Sequence, residues 1–354
     1  MKNHIAIYLL LLLLNWNCLA QKKSLIISKN DFFQSVTIDT LLKDNISIRA
    51  IIVTSAKVWY AADKGRVGCI TYADKNKLEN IVESSNNPLE FRSIAQTSKA
   101  TFVLNVGNPA QLFQFSNDLK TKKRVYEEEN EKVFYDSMQF WNDDEGIAIG
   151  DPIENCLSII ITHDGGNSWQ KIPCTNLPKV FDGEAAFAAS NTNVIIKGES
   201  IWIVTGGKKA RVFYSRDKAK TWQVFETPID QGLEMTGIFT ADFYNETIGC
   251  IAGGNYEKQN QNFSNKALTI DSGKTWKLIA ENQAFGYASC IQFVPESDGT
   301  AMACIASAGL YYSHDSGATW KLLLENKDLY TLRFINKNSA VVAGSKGILK
   351  INFK

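Results

Sequence analysis

The stretch Thr162–Trp169 (THDGGNSW) decides the fold, because a closely similar pattern occurs three more times in the chain. The other copies are Ser215–Trp222 (SRDKAKTW), Thr269–Trp276 (TIDSGKTW) and Ser313–Trp320 (SHDSGATW). Their tryptophans are 53, 54 and 44 residues apart, which is the length of one four-stranded propeller blade. The repeat therefore predicts a β-propeller.

Each copy is interpreted as a hairpin turn between the third and fourth strands of a blade. The Asp accepts hydrogen bonds from turn amides, and the Gly allows a positive φ. This local bonding is a commoner use of Asp, Ser and Thr in turns than catalysis. The structural residues predicted on this basis are Asp164, Trp169, Asp217, Trp222, Asp271, Trp276, Asp315 and Trp320. The second copy has Lys218 and Ala219 where glycine is usual, so we expect a less regular turn there.

The composition is that of one ordinary globular domain. Hydrophobic residues make up 45% of the chain, aromatic residues 11%, and the net charge is +1. Such a charge gives no general attraction to nucleic acids or anionic membranes. We therefore expect no nucleic-acid partner.

The first 20 residues have the organisation of a secretory signal peptide. Lys2 and His4 precede the apolar stretch 5–14, and Ala20 offers a small residue for cleavage. Lipid attachment at Cys18 is the alternative. No later stretch reaches the roughly 20 apolar residues of a transmembrane helix. The expectation is an exported protein, periplasmic or secreted, whose propeller occupies residues 21–354.

Six cysteines follow residue 20, and an even number in an exported chain permits disulfides. Cys156 and Cys174 are symmetric about the first turn, so a bridge between them is favoured. A bridge between Cys290 and Cys304 is the weaker candidate, and buried free thiols are the alternative for both pairs. None of the spacings is typical of a zinc site, and no metal or cofactor is expected.

Seven inner strands are predicted when strand patterns are aligned on the turns. They begin near Ser47, Phe91, Tyr135, Glu184, Thr236, Tyr287 and Tyr330. The last repeat has only three strands, so the strand-like residues 33–41 are expected to supply its outer strand and remove the exposed edges. The predicted fold is an all-β, seven-bladed propeller of four-stranded antiparallel blades, with the ring closed by an N-terminal strand.

Functional residues are expected on the face opposite the four turns, where the inner strands begin. The residues predicted to bind a ligand at the channel mouth are Arg49, Arg92, Tyr135, Asp136, Glu154, Glu184, Lys208, Lys209 and Arg211. Such a mixture suits a carboxylate, a phosphate or a charged peptide. The same charges could equally pair with one another and close the channel. Asp136, Asp151 and Glu184 are the candidate catalytic carboxylates.

Several enzyme classes are disfavoured. The only histidines after the leader are His163 and His314, and both lie in the predicted turns. A Ser-His-Asp hydrolase is therefore not expected. The chain also has no GxGxxG sequence after a strand, no phosphate-binding loop and no βαβ alternation, so a Rossmann-type oxidoreductase is not expected either. If the protein is an enzyme, a glycoside hydrolase is the expected class.

The four turns resemble the Asp-box (BNR) repeat of sialidases, sortilin-type receptors and photosystem II assembly-factor-like proteins. With the inner strands SIRAI at 47–51 and FRSI at 91–94, nearly the whole mature chain is similar to the last group and its exported bacterial relatives. That resemblance implies a scaffold that binds protein segments through arginines. An "oxidoreductase" label on some relatives is the only basis for a redox role.

A sialidase-like site is the natural enzymatic comparison. The sialidase family uses three arginines, a Tyr/Glu pair and an Asp, and Arg49, Arg92 and Tyr135 match only fragments of that set. The sequence therefore favours an exported, monomeric scaffold that binds a protein segment or a glycan on the channel face. The alternative is a sialidase-like glycoside hydrolase, which needs two carboxyl groups roughly 5–9.5 Å apart.

Overall fold

The computed structural model describes residues 32–84 and 88–354. The predicted signal peptide and Cys18 lie outside these residues. Phe33–Lys354 forms a compact unit. In the described part of the chain, no residue belongs to an α-helix, and no helix has the length and apolar character needed to cross a membrane.

Seven four-stranded antiparallel blades confirm the predicted fold class. From inner to outer strand, blade one is Ile48–Val53, Lys57–Ala62, Arg66–Thr71 and Lys77–Ile81; blade two is Phe91–Gln96, Ala100–Asn105, Ala110–Ser116 and Lys122–Glu128. Blade three is Tyr135–Phe140, Gly146–Gly150, Ser158–Thr162 and Gln170–Lys171; blade four is Val194–Lys197, Ser200–Val204, Arg211–Ser215 and Gln223–Glu226.

The remaining blades follow in the same order. Blade five is Thr236–Phe243, Gly249–Asn255, Lys266–Thr269 and Lys277–Leu278; blade six is Ala288–Phe293, Met302–Ala306, Gly309–Ser313 and Lys321–Glu325. Blade seven is Leu329–Asn336, Ser339–Gly344, Gly347–Phe353 and Val36–Lys43. Its outer strand therefore comes from the N-terminal side of the described chain and pairs antiparallel with Gly347–Phe353.

The hydrophobic core lies between neighbouring blades. Each inner strand contacts the inner strands of both adjacent blades, all the way round the ring. Between blades one and two, for example, Trp59 belongs to the same buried cluster as Phe91 and Phe115. Second strands such as Gly146–Gly150 are fully buried, whereas the outer strand Lys122–Glu128 is largely exposed. Small apolar residues thus mark strands that lie between two packed blades.

The repeated sequence forms a compact turn between the third and fourth strands of blades three to six. In the first turn, the two carboxylate oxygens of Asp164 accept hydrogen bonds from the amide and hydroxyl of Ser168, at 3.0 and 2.6 Å. The Thr162 hydroxyl donates to Asp164 and accepts from the amide of Gly166. The repeat is therefore a hydrogen-bonded turn that ends one strand and starts the next, and the amide of Gly165 ties it to the carbonyl of Asp144 in the same blade.

The second turn does not have the irregular geometry expected from its sequence. Asp217 accepts from the amide and hydroxyl of Thr221, and Ser215 accepts from the amide of Ala219, as in the other copies. Lys218 and Ala219 adopt positive φ values of 55° and 66° to make this possible. The side-chain hydrogen bonds therefore outweigh the preference of these residues for negative φ.

The turn aspartates should affect stability in acid. Burial opposes ionisation of Asp164, but the bonds from Ser168 and Thr162 outweigh it and lower its pKa to about 2. A carboxyl whose pKa is depressed on folding stabilises the protein above its unfolded pKa of about 4, and this stabilisation is lost as the pH falls towards 2. We expect Asp164→Asn to lose less stability between pH 5 and 2 than the wild type. Chemical unfolding across that range measures this, and an unchanged slope would contradict it.

The described cysteines include one disulfide. Cys156 and Cys174 are bridged, with their Cα atoms 5.6 Å apart, just beyond the hairpin of the first turn. Cys290 and Cys304 are buried free thiols, so the second candidate bridge does not form. A bulge in blade six pairs Cys290 with Ile305 and Cys304 with Ile291. This one-residue offset directs the two thiols to opposite faces of the blade.

Blade four begins later than predicted. Its inner strand is Val194–Lys197, and the stretch beginning at Glu184 is not that strand. Glu184–Ala185 instead pairs with Gly206–Gly207, which adjoins the inner strand of blade five. We call residues 184–193 the axial segment, because they run to the centre of the ring before blade four starts.

Hydrogen bonds connect the axial segment to the six other blades. Its partners are Arg49 in blade one, Ile94 in blade two, Met138 in blade three, Thr240 in blade five, Ser289 in blade six and Arg333 in blade seven. A segment bonded to every side of the ring fills its axis. The channel is therefore blocked by the chain itself, and a pocket is left at its mouth.

Candidate functional site at the channel mouth

The pocket has a volume of about 430 Å³ and lies where the inner strands begin. Residues 185–189 of the axial segment line it, together with side chains from several blades. Its polar side chains are Arg49, Arg92, Asp151 and Glu234. A concave site of this size with a few polar groups is the usual form of a ligand site.

Two arginines from neighbouring blades line the pocket. The Arg49 guanidinium donates from Nη1 to the carbonyl of Ala189 and lies 4.2 Å from the ring centre of Tyr330. Its Nε is buried and has no hydrogen-bond partner. Arg92 is ion-paired to Glu90 through Nε and Nη2, at 2.8 and 2.7 Å. Both arginines are held in place and retain donors for an anionic ligand.

Two carboxyl groups interact at the pocket: Asp151, which lines it, and Asp136, which is buried next to Asp151. Asp136 is fully buried, and within the described residues no donor reaches either of its oxygens with standard hydrogen-bond geometry. Burial and the nearby Asp151 raise the pKa of Asp136 well above its usual value. Asp151 lines the pocket and accepts a 2.8 Å bond from the amide of Ala186, while burial raises its pKa to about 7. The pair therefore holds a proton at neutral pH.

Aromatic side chains form one wall of the pocket. Phe187 stacks on Phe239 with ring centres 3.9 Å apart, and Tyr287 meets Phe239 edge-on at 4.9 Å. Tyr256 packs edge-on against Tyr287 at 5.1 Å and is 39% exposed. These rings form a rigid apolar surface beside the arginines, which we call the aromatic wall.

Exposed apolar side chains occur in two segments close in sequence to residues of the pocket and its aromatic wall. Leu233 is 54% exposed and precedes the lining residues Glu234 and Met235. Phe263, in the loop between the second and third strands of blade five, is 45% exposed. Exposed apolar side chains around a pocket are typical of an interaction surface.

Three of the predicted residues line the pocket, and they are Arg49, Arg92 and Asp151; Asp136 is buried and interacts with Asp151 and Arg92. Tyr135 is a correction, because it is buried and its hydroxyl donates to Glu128 at 2.8 Å, away from the channel. The two adjacent residues lie at a bulge and have different surroundings, since Tyr135 bonds to Glu128 whereas Asp136 interacts with Asp151.

Glu184 and Arg211 are a second correction, because they bind each other. Nε and Nη2 of Arg211 donate to the two carboxylate oxygens of Glu184, which also accepts from Thr205 and from the amide of Phe181. The Glu184 carboxylate has no exposed surface. Neither residue has the free charge that catalysis or ligand binding would require.

The other three predicted ligand residues lie away from the pocket. Lys208 is ion-paired with Asp182 at 3.8 Å, and Lys209 with Glu226 at 3.3 Å. Glu154 is exposed and does not line the pocket. These three side chains are in contact with solvent and do not line the pocket.

Sequence reasoning missed the aromatic wall. Its members come from three places: Phe187 from the axial segment, Phe239 from the inner strand of blade five, and Tyr256 and Tyr287 from the flanks of strands in blades five and six. The aromatic residues close to several of the predicted inner-strand starts, such as Phe187, Phe239 and Tyr287, were the available signal. In residues 32–84 and 88–354, no three His, Cys, Asp or Glu side chains are arranged to hold a metal ion.

No protein-family model and no curated protein matches the chain. Solved structures do match. YCF48 bound to a D1 peptide has a TM-score of 0.64 and 11% identity, over 91% of this chain and 98% of that one. The WD40 repeats of RRP9 have a TM-score of 0.62 and 13% identity, over 91% and 100% of the two chains.

A glycoside hydrolase is among the structural matches as well. The GH74 enzyme of Niastella koreensis has a TM-score of 0.56 and 12% identity, over 87% of this chain and 43% of that one. At such identities the likeness shows the propeller fold alone. The resemblance to the Asp-box family continues to rest on the four sequence repeats.

Proposed function

We propose that the protein is an exported scaffold that binds a protein segment in the pocket at the channel mouth. The observation that carries this proposal is the combination of two held arginines with an aromatic wall in one pocket. A protein segment offers both a carboxylate for the arginines and apolar side chains for the wall. The YCF48 structure, which contains a D1 peptide, is a propeller of similar size and supports the same use of the fold.

Export is part of the proposal. The disulfide between Cys156 and Cys174 supports it, because disulfides persist in oxidising compartments and are rare in the cytosol. The signal-like residues 1–20 support it independently. The partner is therefore a protein of the cell envelope or of the extracellular space.

Capture from envelope extract tests the binding proposal. We expect the wild type to retain a defined protein that Arg92→Ala and Tyr256→Ala both lose. Arg124→Ala is the matched control, because Arg124 is an exposed arginine on the outer strand of blade two. The wild type and the three variants should have equal melting temperatures, so that a loss of capture is not a loss of folding. Capture of the same protein by all four forms would contradict binding at the pocket.

A glycoside hydrolase is the second candidate, favoured by one observation: Asp151 lines the pocket with a pKa of about 7, which suits a general acid. The partner carboxylate is the difficulty. Glu184 is bound to Arg211, and Asp136 has no exposed surface, which leaves Glu234. Turnover of aryl glycosides that Asp151→Asn and Glu234→Gln both abolish would establish the enzyme and overturn the scaffold proposal.

A further inference from the structure

The carboxyl groups of Asp136 and Asp151 are adjacent because they lie at the same end of two paired strands in blade three. Asp136 is the second residue of the inner strand Tyr135–Phe140, and Asp151 directly follows the second strand, Gly146–Gly150. Tyr135 pairs with Gly150, and a bulge follows in which Asp136 has no partner residue. Asp136 and Asp151 thus lie at the same end of the blade. Both interact with the axial segment, Asp136 with the backbone of Ala188 and Asp151 with the amide of Ala186.

The surrounding charges do not neutralise both carboxylates. The charged and titratable groups that line the pocket or act on the pair are Arg49 from blade one, Arg92 and Glu90 from blade two, Glu234 ahead of blade five, and Tyr287 ahead of blade six. Arg92 favours the ionised form of Asp136 but is already paired with Glu90. Arg49 faces the carbonyl of Ala189.

A negatively charged ligand would add to the negative charge that the arginines do not neutralise. Asp136 already holds one proton at neutral pH, and a carboxylate bound by Arg49 and Arg92 takes up the positive charge that otherwise offsets an ionised Asp151. The bound carboxylate also brings another negative charge close to Asp151, and like charges in a partly buried site oppose one another's ionisation. The ligand and a proton therefore favour each other's binding.

We infer that the pocket binds a carboxylate-bearing protein segment together with a proton, which is held by the Asp136–Asp151 pair. The inference rests on the proposed function and specifies its ligand. The carboxylate lies at Arg49 and Arg92, and the apolar side chain beside it lies on the aromatic wall. The proton is carried on the oxygen of Asp151 that does not accept the amide of Ala186, where it can donate to the ligand.

The direction and size of the pH dependence of ligand affinity follow from the titration of Asp151. Burial raises its pKa to about 7, so the group is mostly neutral at pH 6 and mostly ionised at pH 8. If only the neutral form accepts the anion, affinity is about tenfold higher at pH 6 than at pH 8. The ligand's own carboxylate does not titrate in this range, because its pKa is about 3.5.

The test uses N-acetyl-L-phenylalanine as the probe, which carries one carboxylate and one aromatic ring. Binding to the full mature chain is followed by protein-observed NMR at pH 6 and pH 8. We expect about tenfold weaker binding at pH 8 for the wild type and for the control Arg124→Ala. For Asp151→Asn, which keeps an oxygen for the amide of Ala186, we expect equal binding at the two pH values.

Three results would overturn the inference: equal affinity of the wild type at pH 6 and 8, a pH dependence that survives in Asp151→Asn, or no binding of the probe at either pH. Binding of glucuronate but not of the probe would also overturn it, because the carboxylate would then belong to a glycan. The outcomes are distinguishable from failure of the scaffold proposal. If capture from envelope extract depends on Arg92 and Tyr256 but not on pH, the scaffold proposal stands and only the inference of a bound proton is wrong.

Discussion

Replacing Arg211 with methionine is expected to lower the free energy of unfolding by about 3–5 kcal/mol, because the substitution leaves a buried carboxylate without its cation. Glu184 has no exposed surface and receives two bonds from the Arg211 guanidinium. Removing one partner of such a pair lowers the free energy of unfolding by far more than the intact pair raises it. Urea unfolding at pH 7 measures the loss.

Two further variants make this prediction specific. Arg124→Met removes an arginine from an exposed ion pair with Glu127, and we expect a change of about 0–1 kcal/mol. The double variant Arg211→Met, Glu184→Gln should regain part of the lost stability, since no uncompensated charge stays buried. If Arg211→Met were as mild as Arg124→Met, the buried ion pair would not have the structural role assigned to it.

Asn191→Ala is expected to destabilise the ring by about 2–4 kcal/mol, because two buried backbone groups lose their partners. The Asn191 amide nitrogen donates to the carbonyl of Ile94 at 2.8 Å, and its oxygen accepts from the amide of Met138 at 2.9 Å. Asn191 also has a φ of 58°, which asparagine tolerates better than alanine does. Thermal and urea unfolding both report the change.

The control for Asn191 is Asn338→Ala. Asn338 is exposed, and we expect its replacement to change stability by no more than about 0.5 kcal/mol. Equal effects at the two positions would mean that the axial segment does not hold the blades together.

The sequence predicted the blades well where the turns mark them. Asp164, Asp271 and Asp315 each accept hydrogen bonds from residues of their own turn, so a short pattern is enough to identify the hairpin. Blade four was misplaced because the small and apolar residues after Glu184 have the composition of an inner strand. Their partners are contributed by six other blades, and no local pattern contains that information.

The candidate site was only half predicted, for a similar reason. Arg49, Arg92, Asp136 and Asp151 stand out because charged residues are unusual at the ends of buried strands. Which of two adjacent side chains faces the axis depends on strand geometry that the sequence does not show, so Tyr135 and Asp136 could not be told apart. The pairing of Glu184 with Arg211 and the stacking of Phe187 on Phe239 join residues distant in the chain, and composition does not reveal such contacts.

The route of the axial segment has a consequence for the timing of folding. Asn191 bonds to a residue 97 positions earlier in the chain, and Ser190 to residues 99 and 143 positions later. Contacts over such separations form slowly, and those of Ser190 must await synthesis of the last two blades. The first half of a nascent chain consequently cannot complete its native hydrogen bonding. The centre of the ring can therefore become fully bonded only after the final blade has been made.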